Sequence, residues 1–198
     1  MEISEPPWEA YFQRVVSLPH RKLVEFAASL NVELPLVAVD CGCGTGSDIA
    51  YLVGCGYRVH AFDVHETAVK TCTERFAGNP KVIISKNSFE NFRYPTSSLV
   101  IANSSLFFCE RTKFDFAWNR ISAALSVGGI FCGDFLGSRD SWASDPTRIQ
   151  TAFTNDEVAL LFSDFEILKW DERDELGVTA LGRSKNWHTF TVVARTLR

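Results

Sequence analysis

Short apolar runs alternate along the chain with longer stretches in which apolar residues recur at helical spacing. The runs at 36–39 and 98–103 are almost continuously apolar, as in strands that are buried on both faces of a parallel sheet. The stretches between such runs, including 110–126 with its aromatic stripe, predict helices packed against the sheet. This alternation predicts a single α/β domain. The predicted strands are residues 36–39, 57–63, 81–85, 98–103, 130–135, 165–170 and 188–195.

The two ends of the chain carry less regular patterns. Residues 8–30 have two apolar helical faces, and Pro19 interrupts the pattern between them. We therefore expect residues 1–33 to form a helical cover on the sheet. Near the other end, the acidic run 171–175 predicts a solvated turn, and Thr154 with Glu157 resembles the capping box that starts a helix.

A glycine-rich segment follows the first predicted strand directly. Gly42, Gly44 and Gly46 stand in a strand-to-helix turn, where the missing side chains let a ligand press against the backbone. A dinucleotide-binding fingerprint would place its third small residue at Ser47, so that pattern is only approximate. Asp40 precedes the glycines, and its carboxylate would repel a pyrophosphate but suit an ammonium group.

This segment resembles motif I of the class I S-adenosylmethionine-dependent methyltransferases, D-x-G-C-G-T-G, which stands here as Asp40-Cys-Gly-Cys-Gly-Thr-Gly46. The resemblance covers residues 35–196. It implies a Rossmann-like, seven-stranded, mostly parallel sheet with one antiparallel C-terminal strand and helices on both faces. It also implies S-adenosylmethionine as the cofactor. The segments 137–142 and 185–188 are similar to those of small bacterial methyltransferases of the tellurite-resistance type.

Asp63 ends the second predicted strand, about 20 residues after Gly42, at the spacing where a carboxylate accepts hydrogen bonds from ribose hydroxyls. The same position serves a nucleotide or S-adenosylmethionine equally well, and a helix N-cap is the alternative. The resemblance implies further cofactor contacts. Val64 would pack on the adenine, and Ser88 and Phe89 would hold its edge. Asn103 and Ser104 would hold the methionine end, Cys43 would contact the cofactor from the glycine loop, and Tyr11 would cover it as part of a lid.

Substrate-side candidates follow the fifth predicted strand, because ligands of parallel sheets bind beyond the carboxyl ends of the strands. Arg139, Asp140 and Trp142 lie there, although the same residues could merely cap the next helix. His188 is either structural or lines the substrate pocket. His188 and Asp140, with Glu172, are the weak candidates for a general base, and no metal site is predicted.

The composition of the chain limits which classes of binding partner are expected. The chain has 198 residues and a net charge of −4, and it lacks the long basic run that sequence-independent nucleic-acid binding requires. Asn103 is not followed by the Pro-Pro of nucleic-acid amino-methyltransferases, which also disfavours a nucleic-acid acceptor. No apolar run is long enough to span a membrane and no signal-peptide pattern appears, so we expect a cytoplasmic protein, monomer or homodimer. The six cysteines are expected to be reduced thiols.

The sequence thus predicts methyl transfer from S-adenosylmethionine to a small-molecule acceptor by in-line displacement. Two alternatives remain: a non-catalytic module that binds S-adenosylmethionine or a nucleotide, and an NAD(P)-dependent reductase.

Overall fold

The computed structural model describes residues 7–145 and 150–198. The strands are β1 Val37–Cys41, β2 Arg58–Asp63, β3 Val82–Lys86, β4 Ser97–Ala102, β5 Leu125–Gly137, β6 Ala152–Phe153, β7 Phe165–Val178 and β8 Ser184–Thr196. The helices are α1 Trp8–Val15, α2 Lys22–Leu30, α3 Ser47–Gly54, α4 Glu66–Arg75, α5 Arg111–Ala124 and α6 Asn155–Leu161, with a 3₁₀ turn at Leu106–Phe108.

The strands form one sheet in the order β3-β2-β1-β4-β5-β8-β7. The first five strands run parallel, and β8 is antiparallel to both of its neighbours. The predicted mostly parallel sheet with an antiparallel C-terminal strand is therefore confirmed, and the seven predicted strands are joined by an eighth, β6. The sequence did not predict β6, because two residues paired to the end of β5 are too short to leave a pattern.

Both faces of the sheet are covered, because alternate residues of the strands point to opposite sides. Val39 of β1 belongs to a cluster that α5 covers with Phe114, Trp118 and Ile121. Ala38 belongs to a second cluster, to which α2, α3 and α4 contribute. The aromatic stripe of α5 is core as predicted, with the exception of Phe116, which is 58% exposed.

The strand order reverses at β1, which lies between β2 and β4. At such a switch point the loops that leave neighbouring strands diverge to opposite faces and open a crevice at the carboxyl ends. The glycine segment, Asp63 and Asn103 all follow the carboxyl ends of these three strands. The topology therefore brings together residues that are far apart in the sequence.

The acidic run 171–175 is not a turn, which corrects the prediction from sequence. It belongs to β7, which pairs with β8 from Phe165 as far as Val178. The contact of β8 with β5 ends at Thr189, so the tip of the β7–β8 hairpin extends beyond the sheet. Acidic residues have low strand propensity, and their order comes from cross-strand partners that the local sequence does not reveal.

The N-terminal region forms two helices on either side of Pro19, as predicted, although residues 1–6 of the predicted cover lie outside the described residues. Thr154 and Glu157 form the capping box at the start of α6. Within residues 7–145 and 150–198, none of the helices has the length and apolar content that crossing a membrane would require.

Candidate active site

The glycine loop between β1 and α3 takes backbone conformations that require glycine. Gly42 and Gly46 have φ of +72° and +79°. A Cβ on Gly42 would lie 2.5 Å from Cβ of Ser105, and one on Gly46 would lie 2.8 Å from the Phe76 ring. These two glycines therefore allow the loop to pack closely on the turn after β4 and on α4. A Cβ on Gly44, by contrast, would meet only Phe12, 4.0 Å away, so the backbone at Gly44 faces the open crevice.

Asp63 fixes this loop from the neighbouring strand. Its Oδ2 accepts a hydrogen bond from the Gly44 amide at 3.0 Å, and its Oδ1 accepts one from the His65 amide at 2.9 Å. Burial raises the pKa of Asp63, and these two amides oppose that effect by lowering it. Each carboxylate oxygen keeps capacity for a further donor. Val64, the next residue, is 55% exposed beside it, as a residue that packs on an adenine ring would be.

Asp40 lies beneath the loop in an unusual environment for a carboxyl group. It is buried, and its Oδ2 has no hydrogen-bond partner among the described residues. Burial raises the pKa of Asp40 well above its ordinary value, and the carboxylates of Asp48 and Asp63 raise it further, whereas Arg21 lowers it. An orphaned buried carboxylate is costly unless a donor reaches it, and an ammonium group is such a donor.

Polar side chains surround the turn after β4. Asn103 Nδ2 donates to Asp48 Oδ2 at 3.1 Å. Ser104, a non-glycine residue with φ of +49°, donates from its amide and its hydroxyl to Asp134 Oδ2 at 3.0 and 3.2 Å. Arg21 approaches the same carboxylate at 3.8 Å. The strained backbone at Ser104 turns its polar groups toward the crevice side of the strand end.

Three of these polar residues were missed by the sequence reasoning: Arg21, Asp48 and Asp134. Arg21 belongs to the short basic run 20–22, and Asp48 and Asp134 stand on α3 and β5. A single charged residue in an element leaves no local signal, so only the packing of α2, α3 and β5 around Asn103 identifies them.

The side chains of Cys43, Ser88 and Phe89 are less available for contact with a cofactor than the sequence suggested. The Cys43 side chain is buried, with its Sγ 3.9 Å from Cys72 Sγ. Phe89 is buried against the ring of Phe62, and Ser88 Oγ accepts a hydrogen bond from Asn91 at 3.0 Å. The side chains of Cys43 and Phe89 therefore face the core, and these two residues can reach a cofactor only through their backbone.

Helix α1 lies over the crevice. The Phe12 ring lies 4.0 Å from the position that a Cβ on Gly44 would take, and the Trp8 ring contacts His65 at 5.1 Å and Phe108 at 5.0 Å between centroids. Tyr11 packs on Trp8 at 5.7 Å, and burial raises the pKa of Tyr11. The helix thus connects the start of α4 with the turn after β4, above the strand ends.

A cavity of about 440 Å³ opens beside this crevice. It is bounded by α1, the 3₁₀ turn, the loop after β5 and the tip of the β7–β8 hairpin. Ser104 and Arg21 belong to the wall of the cavity as well as to the cluster around Asp134. The aromatic residues that line the cavity are Trp8, Tyr11, Phe107, Phe108, Trp142 and Trp187.

Of the predicted substrate-side residues, only Trp142 lines this cavity. Arg139 points to β7, where it pairs with Glu172 at 2.8 Å and Asp174 at 2.6 Å. His188 is fully buried: its Nδ1 accepts from the Arg139 amide at 3.0 Å and its Nε2 lies 2.9 Å from Glu172. Both residues therefore serve the hairpin, which agrees with the structural alternative for His188 and corrects the expectation that Arg139 contacts substrate.

Asp140 is also structural. It is buried, accepts hydrogen bonds from the amides of Trp142 and His188 at 2.9 Å each, and pairs with Lys185. A general base must reach the proton that it removes, and neither Asp140 nor His188 lines the cavity. These contacts remove both residues as candidate bases.

Lys185 was not singled out from the sequence, yet it holds a central position. Its Nζ lies 3.6 Å from the ring centre of Trp142 and 3.9 Å from that of Trp187, and its side chain is buried against Asp140. An ammonium over two indole faces is favourable when it is shielded from water. Lys185 therefore fixes the two tryptophan rings relative to each other.

Comparison with known proteins matches part of the sequence to one family and the fold to several solved structures. Residues 38–129 match the family described as a methyltransferase domain. No curated protein sequence matched the chain significantly. TehB from Haemophilus influenzae superposes with a TM-score of 0.73 at 19% identity over 91% of this chain, which spans 63% of the TehB chain.

Two further solved structures superpose over nearly the whole chain. The Burkholderia thailandensis 1,6-didemethyltoxoflavin-N1-methyltransferase, with its substrate and S-adenosylhomocysteine bound, gives a TM-score of 0.64 at 21% identity over 100% of this chain and 93% of its own. The N-methyltransferase NodS from Bradyrhizobium japonicum WM9, with S-adenosylhomocysteine, gives 0.66 at 15% identity over 99% and 91%.

Proposed function

We propose that this protein is a class I S-adenosylmethionine-dependent methyltransferase that methylates a small molecule bound in the aromatic cavity; the match of residues 38–129 to a methyltransferase domain and the likeness of the fold support the proposal. The likeness to TehB fits the tellurite-resistance-type subgroup that the segments 137–142 and 185–188 indicate. The observation that carries the proposal is the position of Ser104. Its backbone and hydroxyl belong to the polar cluster at the strand ends, and the same residue lines the cavity. A cofactor on the glycine loop and an acceptor in the cavity would therefore meet at Ser104.

The residues around the crevice fit S-adenosylmethionine group by group. Asp63 has acceptor capacity left for the ribose hydroxyls, and Val64 offers an exposed apolar surface for adenine. Asp40 supplies negative charge for the ammonium group, and Arg21 supplies positive charge for the carboxylate. A nicotinamide dinucleotide would instead bring its pyrophosphate against the glycine loop, directly above the carboxylate of Asp40.

When bound, S-adenosylmethionine would supply a methyl group on a positively charged sulfur. The acceptor's lone pair would displace the sulfur from the methyl carbon in line, the electrons of the carbon–sulfur bond would pass to sulfur, and S-adenosylhomocysteine would be the leaving group. The protein aligns the acceptor and excludes water, and alignment by itself can contribute about 7–11 kcal/mol. The lid formed by Trp8 and Tyr11 serves the second task. A general base is needed only if the acceptor arrives protonated.

The test is calorimetric titration of the whole chain with S-adenosylhomocysteine and, separately, with NADH. We expect micromolar affinity for S-adenosylhomocysteine and none for NADH. Binding of NADH alone would establish the reductase reading instead. Binding of S-adenosylhomocysteine without methyl transfer to any acceptor would establish a non-catalytic module.

A further inference from the structure

The cavity wall is a continuous arc of aromatic rings. From the crevice outward, ring centroids are separated by 5.1 Å from His65 to Trp8, 5.0 Å from Trp8 to Phe108, 6.3 Å from Phe108 to Trp142 and 5.3 Å from Trp142 to Trp187. We call this set the aromatic arc. It begins next to Val64, where the adenine is proposed to lie, and ends on the β7–β8 hairpin. Five separate segments contribute to it, so it is a product of the tertiary fold.

The size of the cavity limits what fills it. A volume of about 440 Å³ is in the range of pockets that enclose a drug-sized organic molecule, which are typically lined by apolar and aromatic side chains. A small inorganic oxyanion would leave most of this volume to water and would not contact the rings. The cavity therefore fits an organic acceptor of one to a few rings better than an oxyanion.

The charges on the wall limit the ligand further. The charged residues that line the cavity within the described part of the chain are Arg21, Lys185, Arg183 and Asp145. Aromatic faces alone would also attract an organic cation. Here, however, the ammonium of Lys185 already lies over both Trp142 and Trp187. Those ring faces are therefore already occupied, and a second cation could not lie over them.

We propose that the acceptor is a planar aromatic or heteroaromatic molecule, neutral or anionic, which stacks on the aromatic arc with its nucleophilic atom directed to Ser104. This inference rests on the proposed methyltransferase function and adds the class of acceptor. Trp142 is the specificity-determining residue, because it stands in the middle of the cavity wall between Phe108 and Trp187.

The test measures binding to the protein saturated with S-adenosylhomocysteine, by calorimetry, and methyl transfer from S-adenosylmethionine, by the release of S-adenosylhomocysteine. The probes are catechol, hydroxybenzoates and hydroxyquinolines, each compared with its saturated ring analogue. Tellurite and a protonated alkylamine represent the oxyanion and cation classes. We expect the aromatic probes to bind at least tenfold more tightly than their saturated analogues.

Substitution of Trp142 separates stacking from folding. We expect Trp142→Ala to weaken the aromatic probes about five- to tenfold, the loss that corresponds to one aromatic contact, and Trp142→Phe to restore most of that affinity. Both variants should bind S-adenosylhomocysteine within twofold of the parent protein. Phe116→Ala is the matched control, because that ring is exposed on α5 and is remote from the cavity wall.

The outcomes distinguish the two proposals. Equal binding of saturated and aromatic probes, transfer to tellurite or the alkylamine in preference to them, or no binding of any aromatic probe would overturn the acceptor class. In each of those cases S-adenosylhomocysteine still binds, and the methyltransferase function stands. If S-adenosylhomocysteine itself fails to bind, the proposed function falls and the acceptor class falls with it.

Discussion

Replacing Asp40 by Asn should make the protein more stable and its cofactor affinity weaker. Asp40 is 4% exposed at the end of β1, and its Oδ2 has no hydrogen-bond partner among the described residues. Burial raises its pKa above the ordinary value, and the nearby carboxylates of Asp48 and Asp63 raise it further. An ionised Asp40 is therefore destabilising in the ligand-free protein at neutral pH. Asn keeps the shape of the side chain and removes the charge.

The two effects have comparable size and opposite direction. An unsatisfied buried neutral group costs about 1–3 kcal/mol and a charged one costs more, so Asp40→Asn, which exchanges the charged group for a neutral one, should raise the free energy of unfolding by an amount on that order. For a protein of this length, each 1 kcal/mol moves the Tm by about 2–4 °C. A hydrogen bond to a charged group is worth about 1.5–3 kcal/mol, so the affinity for S-adenosylhomocysteine should fall roughly 10- to 100-fold.

The pH dependence gives an independent check. Because the pKa of Asp40 is raised in the folded protein, the destabilisation sets in as the pH rises from the ordinary aspartate value through the raised value. The ammonium of the ligand favours the ionised carboxylate, so the affinity should increase with pH across the same window and then level off. The Asn variant should lack both of these contributions.

Thermal unfolding and calorimetric titration at several pH values measure these changes. Asp115→Asn is the control, since Asp115 is exposed on α5 and pairs with Arg111 at the surface. A lower Tm together with unchanged affinity in Asp40→Asn would refute the assignment of Asp40 to the ammonium group. A lower Tm with lost affinity would indicate instead that the carboxylate supports the loop.

Three further expectations follow from the contacts at the site. Asp63→Ala should weaken S-adenosylhomocysteine binding by more than about 1 kcal/mol, because it removes the ribose acceptor and leaves the Gly44 amide unpaired; unchanged affinity by calorimetry would contradict this. Gly46→Ala should lower the Tm more than Gly44→Ala, since only the former brings a Cβ within 2.8 Å of a neighbour; equal losses would show that backbone strain alone matters. Asp140→Asn and Lys185→Met should each cost about 3–5 kcal/mol in urea unfolding, and the double variant clearly less than their sum; additive losses would show that the pair is not coupled.

The sequence was sufficient to predict the sheet and the position of the glycine loop. The alternation of apolar runs and helical stretches predicted the parallel core, because burial on both faces imposes the same composition wherever such strands occur. The glycine loop, Asp40 and Asp63 were predicted for a related reason. Each of them lies within a few residues of a strand end. A backbone with positive φ favours glycine, so the local sequence itself indicates the turn.

The acceptor side was decided by tertiary structure. The charged run 171–175 looked like a turn because its partners on β8 lie beyond the bend of the hairpin. Arg139 and His188 looked available for substrate because nothing near them in the sequence shows that Glu172 pairs with both. Cross-strand contacts have no local signature, so sequence periodicity could not assign them.

What the sequence determined by itself is therefore the architecture and the glycine loop, since both depend on backbone requirements that are local to each segment. What only the tertiary structure decided is the aromatic cavity. Trp8, Phe108, Trp142 and Trp187 come from four segments, and of these the sequence indicated Trp142 alone as a substrate-side residue. Their common wall exists because the hairpin extends past the sheet and α1 folds back over the strand ends.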